Sequence, residues 1–277
     1  MKILVIGAKG MLGQDLCPIL KKENEVIEAD INEIDIVKID QVNKFIKQTN
    51  SDLIINLAAY TDVDGCEINK DKAFEINSLG TWNIALIASE LNKSLVYIST
   101  DYVFNGQKES PYLEFDFPNP INTYGWSKLA GEEYVKTLVK KFYIIRTSWL
   151  FGKYGKNFIN TIIKLSKEQN EIKVVDDQNG SPTFTVDLSY QISKLIKTNF
   201  FGTYHISNKE SCTWFEFAKK IIEISGSKTK ILPIASSEIK RLAKRPTNSV
   251  LKNYCLELRK MDLSRSWEDA IKEYLSL

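Results

Sequence analysis

Histidine is nearly absent from this chain: 277 residues contain one, His205. Cysteine is scarce as well, with Cys17, Cys66, Cys212 and Cys255 far apart and no C-x-x-C pair. Scattered thiols and a lone imidazole exclude a typical zinc centre and a Ser-His-Asp triad. His205, inside Gly202-Thr203-Tyr204-His205-Ile206, reads as a strand residue packed near the core, and no metal site is expected. An excess of one charge is missing too. The 37 lysines and arginines nearly cancel the 35 acids, leaving a formal net charge of +2. Without a basic block there is no electrostatic footprint for nucleic acid or for a polybasic membrane anchor. Pairs such as Lys140-Lys141 and Lys219-Lys220 read as solvated helix faces. No apolar run approaches the roughly 18 residues of a membrane span, and no charged region precedes an apolar one at the amino terminus. The expected setting is a reducing cytoplasm. Internal repeats and low-complexity tracts are lacking as well.

What is present has the make-up of a globular chain, long enough for one large domain or two unequal ones. Lys2-Ile3-Leu4-Val5-Ile6 is a continuous apolar run, as expected of a parallel strand buried on both faces. It leads into Gly7-Ala8-Lys9-Gly10-Met11-Leu12-Gly13 and then a helix to about residue 22. The spacing is G-x-x-G-x-x-G, not G-x-G-x-x-G. The physics carries over, because glycines let the backbone approach a pyrophosphate and a helix N-terminus faces its charge. A strand over 25–29 ends at Asp30, about 20 residues after the turn, where a ribose-binding acid belongs. Its carboxylate accepts the ribose hydroxyls of NADH and repels the extra phosphate of NADPH. Lys9 offsets that repulsion, so both cofactors stay open.

The strand over 53–57 ends in Ala58-Ala59-Tyr60-Thr61, small residues beside which a cofactor can pass close to the backbone. A long helix over 70–91 carries Asn77-Ser78-Leu79-Gly80-Thr81, and an Asn and a Gly inside a helix cost propensity and need a reason. Residues 95–98 read as a buried strand that delivers Ser99 and Thr100 at its carboxyl end, followed by Asp101-Tyr102-Val103-Phe104. After a loop with Gly106, Pro111, Pro118 and Pro120, a helix carries Tyr124-Gly125-Trp126-Ser127-Lys128. Tyr and Lys four apart share a helix face. A phenol of pKa about 10 is a poor acid at neutral pH, and an ammonium beside it favours the phenolate and lowers that value. Proton transfer then comes within reach. The strand over 142–145 ends in Arg146-Thr147-Ser148-Trp149-Leu150-Phe151-Gly152. Polar and small residues thus fall at one strand end after another, where an open parallel sheet binds its ligands.

The S-T-D-Y-V-F segment at 99–104 and the Y-G-x-[ST]-K segment at 124–128, behind that glycine turn, resemble the extended short-chain dehydrogenase/reductases. The likeness runs from Met1 to about Arg245-Pro246, and within the family it is nearest the reductases of nucleotide-activated 4-keto sugars. The implied fold is α/β: a Rossmann-type doubly wound parallel sheet over 1–151 and a smaller, mostly C-terminal substrate-binding lobe over 152–277. Some C-terminal segments are expected to return to the first domain. The implied activity is NAD(P)H-dependent reduction of the C4 ketone of dTDP-4-dehydro-L-rhamnose to dTDP-L-rhamnose, for cell-surface polysaccharide.

The resemblance implies Thr100, Tyr124 and Lys128 as catalytic residues. For the cofactor, NADPH or NADH, it implies Gly7, Gly10, Met11, Leu12, Gly13, Asp30, Ile39, Asp40, Ala58, Ala59, Tyr60, Thr61 and Ile98, with Tyr124 and Lys128 again. Ile39-Asp40 would lie along the adenine. For the sugar nucleotide it implies Val63, Thr100, Asp101, Tyr102 and Trp149, with Asn157 and Arg245 at the nucleotide end. Asn77 would prop its helix near the lysine. Related dehydratases place Asp-Glu directly after the Thr, and here Asp101 is followed by Tyr102, which counts against dehydration. An epimerase, another nucleotide-sugar reductase, and a non-catalytic regulatory subunit like the methionine adenosyltransferase beta subunit stay as alternatives. Some relatives dimerise through magnesium. Asp15 and Asp187 lie near the relevant positions, but too few acids match to assign a metal, and a homodimer is left open.

Overall fold

The computed structural model describes all of residues 1–277. The first half alternates strand and helix: β1 (Lys2–Ile6), α1 (Met11–Lys21), β2 (Glu25–Ala29), α2 (Ile39–Thr49), β3 (Leu53–Asn56), α3 (Val63–Ile68), α4 (Lys70–Phe74), α5 (Gly80–Glu90), β4 (Ser94–Thr100), α6 (Thr123–Leu138) and β5 (Phe142–Thr147). The second half is more broken: β6 (Leu150–Phe151), α7 (Phe158–Glu168), β7 (Glu171–Val175), β8 (Asn179–Gly180), β9 (Thr183–Phe184), α8 (Thr185–Leu195), β10 (Gly202–His205), β11 (Cys212–Thr213), α9 (Trp214–Ser225), β12 (Lys230–Ile234), α10 (Tyr254–Leu258) and α11 (Trp267–Ser276).

Six parallel strands form the main sheet in the order β10-β5-β4-β3-β1-β2. Both faces are covered, which explains the unbroken apolar runs. Ile3, Val5, Ile55 and Val96 point to one side, against Leu16 of α1 and Leu188 and Ile192 of α8. Leu4, Ile6, Ile54 and Leu95 point to the other, against Ile46 of α2, Ile84 of α5 and Val135 of α6. Alternation within a strand therefore feeds two cores, and each buried aliphatic side chain contributes about 1.5–3 kcal/mol. The order of strands reverses at β1, with β2 on one side and β3 on the other. A crevice opens above the carboxyl ends at such a switch point.

Two features depart from the expected elements, and a third, the strand expected at His205, gains a place in the sheet. β4 and β5 run on past their apolar residues, because the ladder continues through Ser99–Arg146 and Thr100–Thr147. Backbone pairing does not need apolar side chains, so the functional end of β4 is as firmly held as its middle. The long helix contains a π-helical segment, Glu75–Leu79, around Asn77. Such bulges mark places where a helix is bent to a purpose. The segment around His205 is the sixth strand of the main sheet, paired with β5. His205 is fully buried, and burial pushes its imidazole down to about 3, with Arg146 beside it adding to the shift.

The smaller lobe has its own core, in which Phe151, Phe184 and Phe217 pack with Ile159, Ile221 and Trp267. Its strands are short pairs: β6 with β9, β8 with β11, and β7 with β12. No helix is long and apolar enough to cross a membrane.

Candidate active site

The glycine turn crosses the switch point. Gly7 has φ 82°, and a Cβ there would lie 2.8 Å from the amide nitrogen of Ala58, so only glycine lets the ends of β1 and β3 come this close. Gly10 caps α1 without a side chain, and no acid sits in the first turn. The amides that begin α1 therefore face the cleft unneutralised, a setting for an anion.

Thr100, at the end of β4, caps a short 3-10 turn by accepting the amide of Tyr102 at 3.2 Å. Its hydroxyl donates to Asp101 Oδ1 at 3.0 Å. The other carboxylate oxygen of Asp101 is buried without a partner, and burial pushes this acid up to about 7. Tyr124 stands in the first turn of α6, whose start is fixed twice over. Asn122 Oδ1 accepts the Gly125 amide at 2.8 Å, and Glu67 of α3 accepts the Thr123 amide and hydroxyl at 2.7 and 2.8 Å. Tyr102 meets Tyr124 edge to face, with centroids 5.9 Å apart.

Lys128 follows one turn later and is buried, its ammonium 4.2 Å from the centre of the Tyr97 ring. One further turn on, Glu132 is fully buried and receives Arg146 through Nε at 2.9 Å and Nη2 at 2.7 Å, with the Ser99 hydroxyl at 2.6 Å. Burial alone would raise the Glu132 carboxyl, but Arg146 outweighs it and holds the acid below its usual range. This ion pair ties α6 to β4 and β5 directly behind the cleft. Asn77 adds a second brace. Its side chain accepts the Tyr60 amide at 2.8 Å and donates to Tyr60 O at 3.0 Å and to Ser127 Oγ at 2.9 Å.

One expectation about these groups is overturned. The Tyr124 phenol is not lowered overall here, because burial outweighs the contacts that favour the phenolate. Burial pushes that phenol above its ordinary value, the contact with Thr100 offsetting only part, and burial pushes Lys128 down to about 7, with Glu132 opposing. Burial moves both groups toward their neutral forms because the protein packed around them replaces water.

Tyr124, Lys128, Thr100, Asp101, Tyr102 and Ile98 line one cleft of about 490 Å³. Gly7, Gly10, Met11, Leu12 and Gly13 border it from the glycine turn, and Ala59, Thr61, Val63 and Trp149 border it as well. A second hollow of about 810 Å³ continues around the turn and holds Asp30 and Ala58. Asp30 accepts the Lys9 amide at 3.0 Å, while the Lys9 ammonium reaches Glu33 at 3.4 Å.

The structure does not bring every expected residue in. Ile39 and Asp40 are exposed on α2, and Ile34, Ile36 and Val37 line the second hollow instead, because the chain enters it before the helix begins. Tyr60 serves the Asn77 brace rather than bordering the cleft. Asn157 is the N-cap of α7, its side chain used up by the Asn160 amide, Gly152 O and Tyr274. Arg245 pairs with Asp64 at 3.1 Å and lines a neighbouring hollow with Arg241 and Gln178. Ser99, Thr147, Ser148, Lys156 and Trp214 border the main cleft without having been singled out. For Trp214 the sequence carried no signal, since it reaches the cleft only through the pairing of β8 with β11.

Thr147 Oγ1 is buried without a partner and borders the cleft. Together with the open amides of α1, the close approach at Gly7 and the continuous hollows, it fits a dinucleotide lying across the sheet end.

Known proteins share this shape. A dTDP-4-dehydrorhamnose reductase from Clostridium acetobutylicum superposes with a TM-score of 0.98 at 45% identity, covering 100% of this chain and 99% of its own. The dTDP-4-dehydrorhamnose reductase of Bacillus anthracis, solved in complex with NADP, superposes at 0.97 with 44% identity over 99% of this chain and 98% of its own. The spore coat polysaccharide biosynthesis protein SpsK of Bacillus subtilis is 42% identical over 275 residues, 99% of this chain and 96% of that protein. The model of the RmlD substrate binding domain matches residues 1–277 end to end, and the chain belongs to that family.

Proposed function

We propose that this chain reduces the C4 ketone of dTDP-4-dehydro-L-rhamnose to dTDP-L-rhamnose, using NADPH or NADH. The carrying observation is that Thr100, Tyr124 and Lys128 converge on one cleft beside the glycine turn. We take residues 1–151 as the cofactor domain and 152–277 as the substrate lobe, with α8, β10 and α10 returning to the first. The setting we infer is the cytoplasm, with a nucleotide sugar as partner and a homodimer as an open assembly state.

When bound, the nicotinamide supplies a hydride to the sugar C4. Tyr124, kept neutral by burial, donates its phenolic proton to the ketone oxygen as charge develops there. Lys128, when charged, sits one helical turn away to favour the phenolate that remains. Thr100 holds the same oxygen by turning its hydroxyl away from Asp101. A protonated Asp101 makes that turn cheap, since it no longer needs the Thr100 proton. The Glu132–Arg146 pair and Asn77 hold these groups still, which is where much of the rate of a positioned acid comes from. Asp30 and Lys9 line the hollow that we assign to the adenosine ribose, with Glu33 paired to the Lys9 ammonium, and this mixture of charges supports use of both cofactors.

A screen of NADPH and NADH oxidation against dTDP-, GDP- and UDP-linked 4-keto sugars tests the reading. Turnover with the dTDP-4-keto-6-deoxysugar is expected. No oxidation with any of them would point to a non-catalytic protein.

A further inference from the structure

Trp149 is held in a backbone conformation that a bulky residue disfavours. Its φ is 46°, in the left-handed region, and such strain persists only where the surroundings over-determine it. The turn is tied down by Thr183, whose amide donates to Trp149 O at 3.2 Å, and by Ser148, whose hydroxyl donates to Ser181 O at 2.6 Å. The ring is also fixed. Trp214 stacks on it with centroids 3.5 Å apart and planes 8° from parallel. Gly180 lies so close that an added Cβ would sit 2.3 Å from Cε2 of the indole. Gly180 pairs with Cys212, and β11 runs straight into Trp214, so one small ladder presents both contacts. Both indoles border the cleft that holds Tyr124 and Thr100.

We propose that Trp214 and Gly180 are positioning residues that hold Trp149 as a rigid apolar wall against an unhydroxylated carbon of the sugar. The wall sets a preference for deoxysugar nucleotides. This deepens the reading above and depends on it for the sugar. A Trp149 free to swing would relax its turn and soften the wall. A hydroxyl pressed onto stacked indoles gives up its water and finds no acceptor, whereas a methyl group gives up nothing. Apolar pockets reject an added hydroxyl by only about tenfold to a hundredfold, which sets the size of the effect.

The test compares the wild type with Trp214→Ala, Trp214→Phe and Gly180→Ala. KM is measured for the dTDP-4-keto-6-deoxysugar and for NADPH. Competition by dTDP-L-rhamnose is set against its 6-hydroxylated counterpart, dTDP-L-mannose. Circular dichroism follows the exciton couplet of the stacked indoles. Trp214→Ala and Gly180→Ala should raise the sugar KM about tenfold, leave the NADPH KM unchanged, shrink the rhamnose-to-mannose discrimination and remove the couplet. Trp214→Phe should restore most of the KM and the discrimination. A folded Trp214→Ala with unchanged sugar KM and discrimination overturns the proposal, as does an equal loss toward NADPH or a failure of Phe to rescue. If the wild type turns over no 4-keto sugar, the functional reading falls. A couplet that survives Trp214→Ala overturns the clamp whatever the activity.

Discussion

On the sheet side of the cleft, Thr100, Tyr124 and Lys128 stand on β4 and α6, long elements whose apolar faces feed two large cores. On the lobe side, Trp149, Gly180 and Trp214 stand on two-residue strands, a strained turn and the first residue of a helix. The sheet side is fixed by repetition: the same strand–helix unit recurs, and each recurrence places its polar residues at the carboxyl end. The lobe side is fixed by pairings between distant segments, each unique. In the reaction we propose, chemistry sits on the repeated frame and sugar selection on the improvised one. If that division is right, changes on the sheet side should alter kcat or cofactor use, while changes on the lobe side should alter the sugar KM.

The largest expected effect is Tyr124→Phe. It removes only the proton donor, so the fold and cofactor binding should survive while kcat falls about 10²–10⁴-fold. Near wild-type kcat would move the acid elsewhere. Arg245→Ala probes the other side. The pair of Arg245 with the partly exposed Asp64 is worth about 0.2–1 kcal/mol, so the sugar-nucleotide KM should rise about two- to fivefold with NADPH affinity intact. The pairing of Arg245 with Asp64, next to Val63 of the cleft, makes it an organiser of that end. Weaker NADPH binding with an unchanged sugar KM would reverse the assignment of the two sides.

The pH profile gives an intermediate effect. Lys128 has its pKa depressed to about 7, so it loses its proton as pH rises through that value, and its charge is present only below it. Plotted for the free enzyme, kcat/KM for NADPH should fall on the alkaline side, about tenfold per pH unit for one essential proton. Asp101 ionises in the same window, so the limb should be followed in Asp101→Asn, where it is expected to persist. A flat profile, or a limb lost with Asp101, would remove the case for a charged Lys128. Another small effect should come from Asp30→Ala, a several-fold shift of preference toward NADPH. An unchanged NADH-to-NADPH ratio would place Asp30 away from the ribose.

The sheet side was readable because its elements follow local pattern. Apolar runs ending in Gly7, Ala58, Thr100 and Thr147 announce buried parallel strands and their ligand-bearing ends, and four-residue spacing puts Tyr124 and Lys128 on one face. The oddity of Asn77 and Gly80 in a helix was visible, but the π segment that answers it depends on Tyr60 and Ser127, far away in the chain. Ile39 and Asp40 were misplaced because an alignment of motifs cannot say where a loop dips into a hollow. Asn157 looked like a nucleotide ligand and is a helix cap, a role equally natural for asparagine. The pKa pattern was inverted because a helical spacing shows a neighbour but not the burial that outweighs it. Trp214 and Gly180 were invisible, since a two-residue ladder leaves no periodicity to read.

In the reaction we propose, hydride arrives at the sugar C4 in this cleft and a proton follows from Tyr124. NADPH deuterated at the transferring position of the nicotinamide tests this, with dTDP-4-dehydro-L-rhamnose in ordinary water. Product analysis by mass spectrometry and proton NMR should find dTDP-L-rhamnose carrying one deuterium, at C4. Unlabelled product, deuterium at another carbon, or a sugar recovered with its ketone intact would contradict the claim.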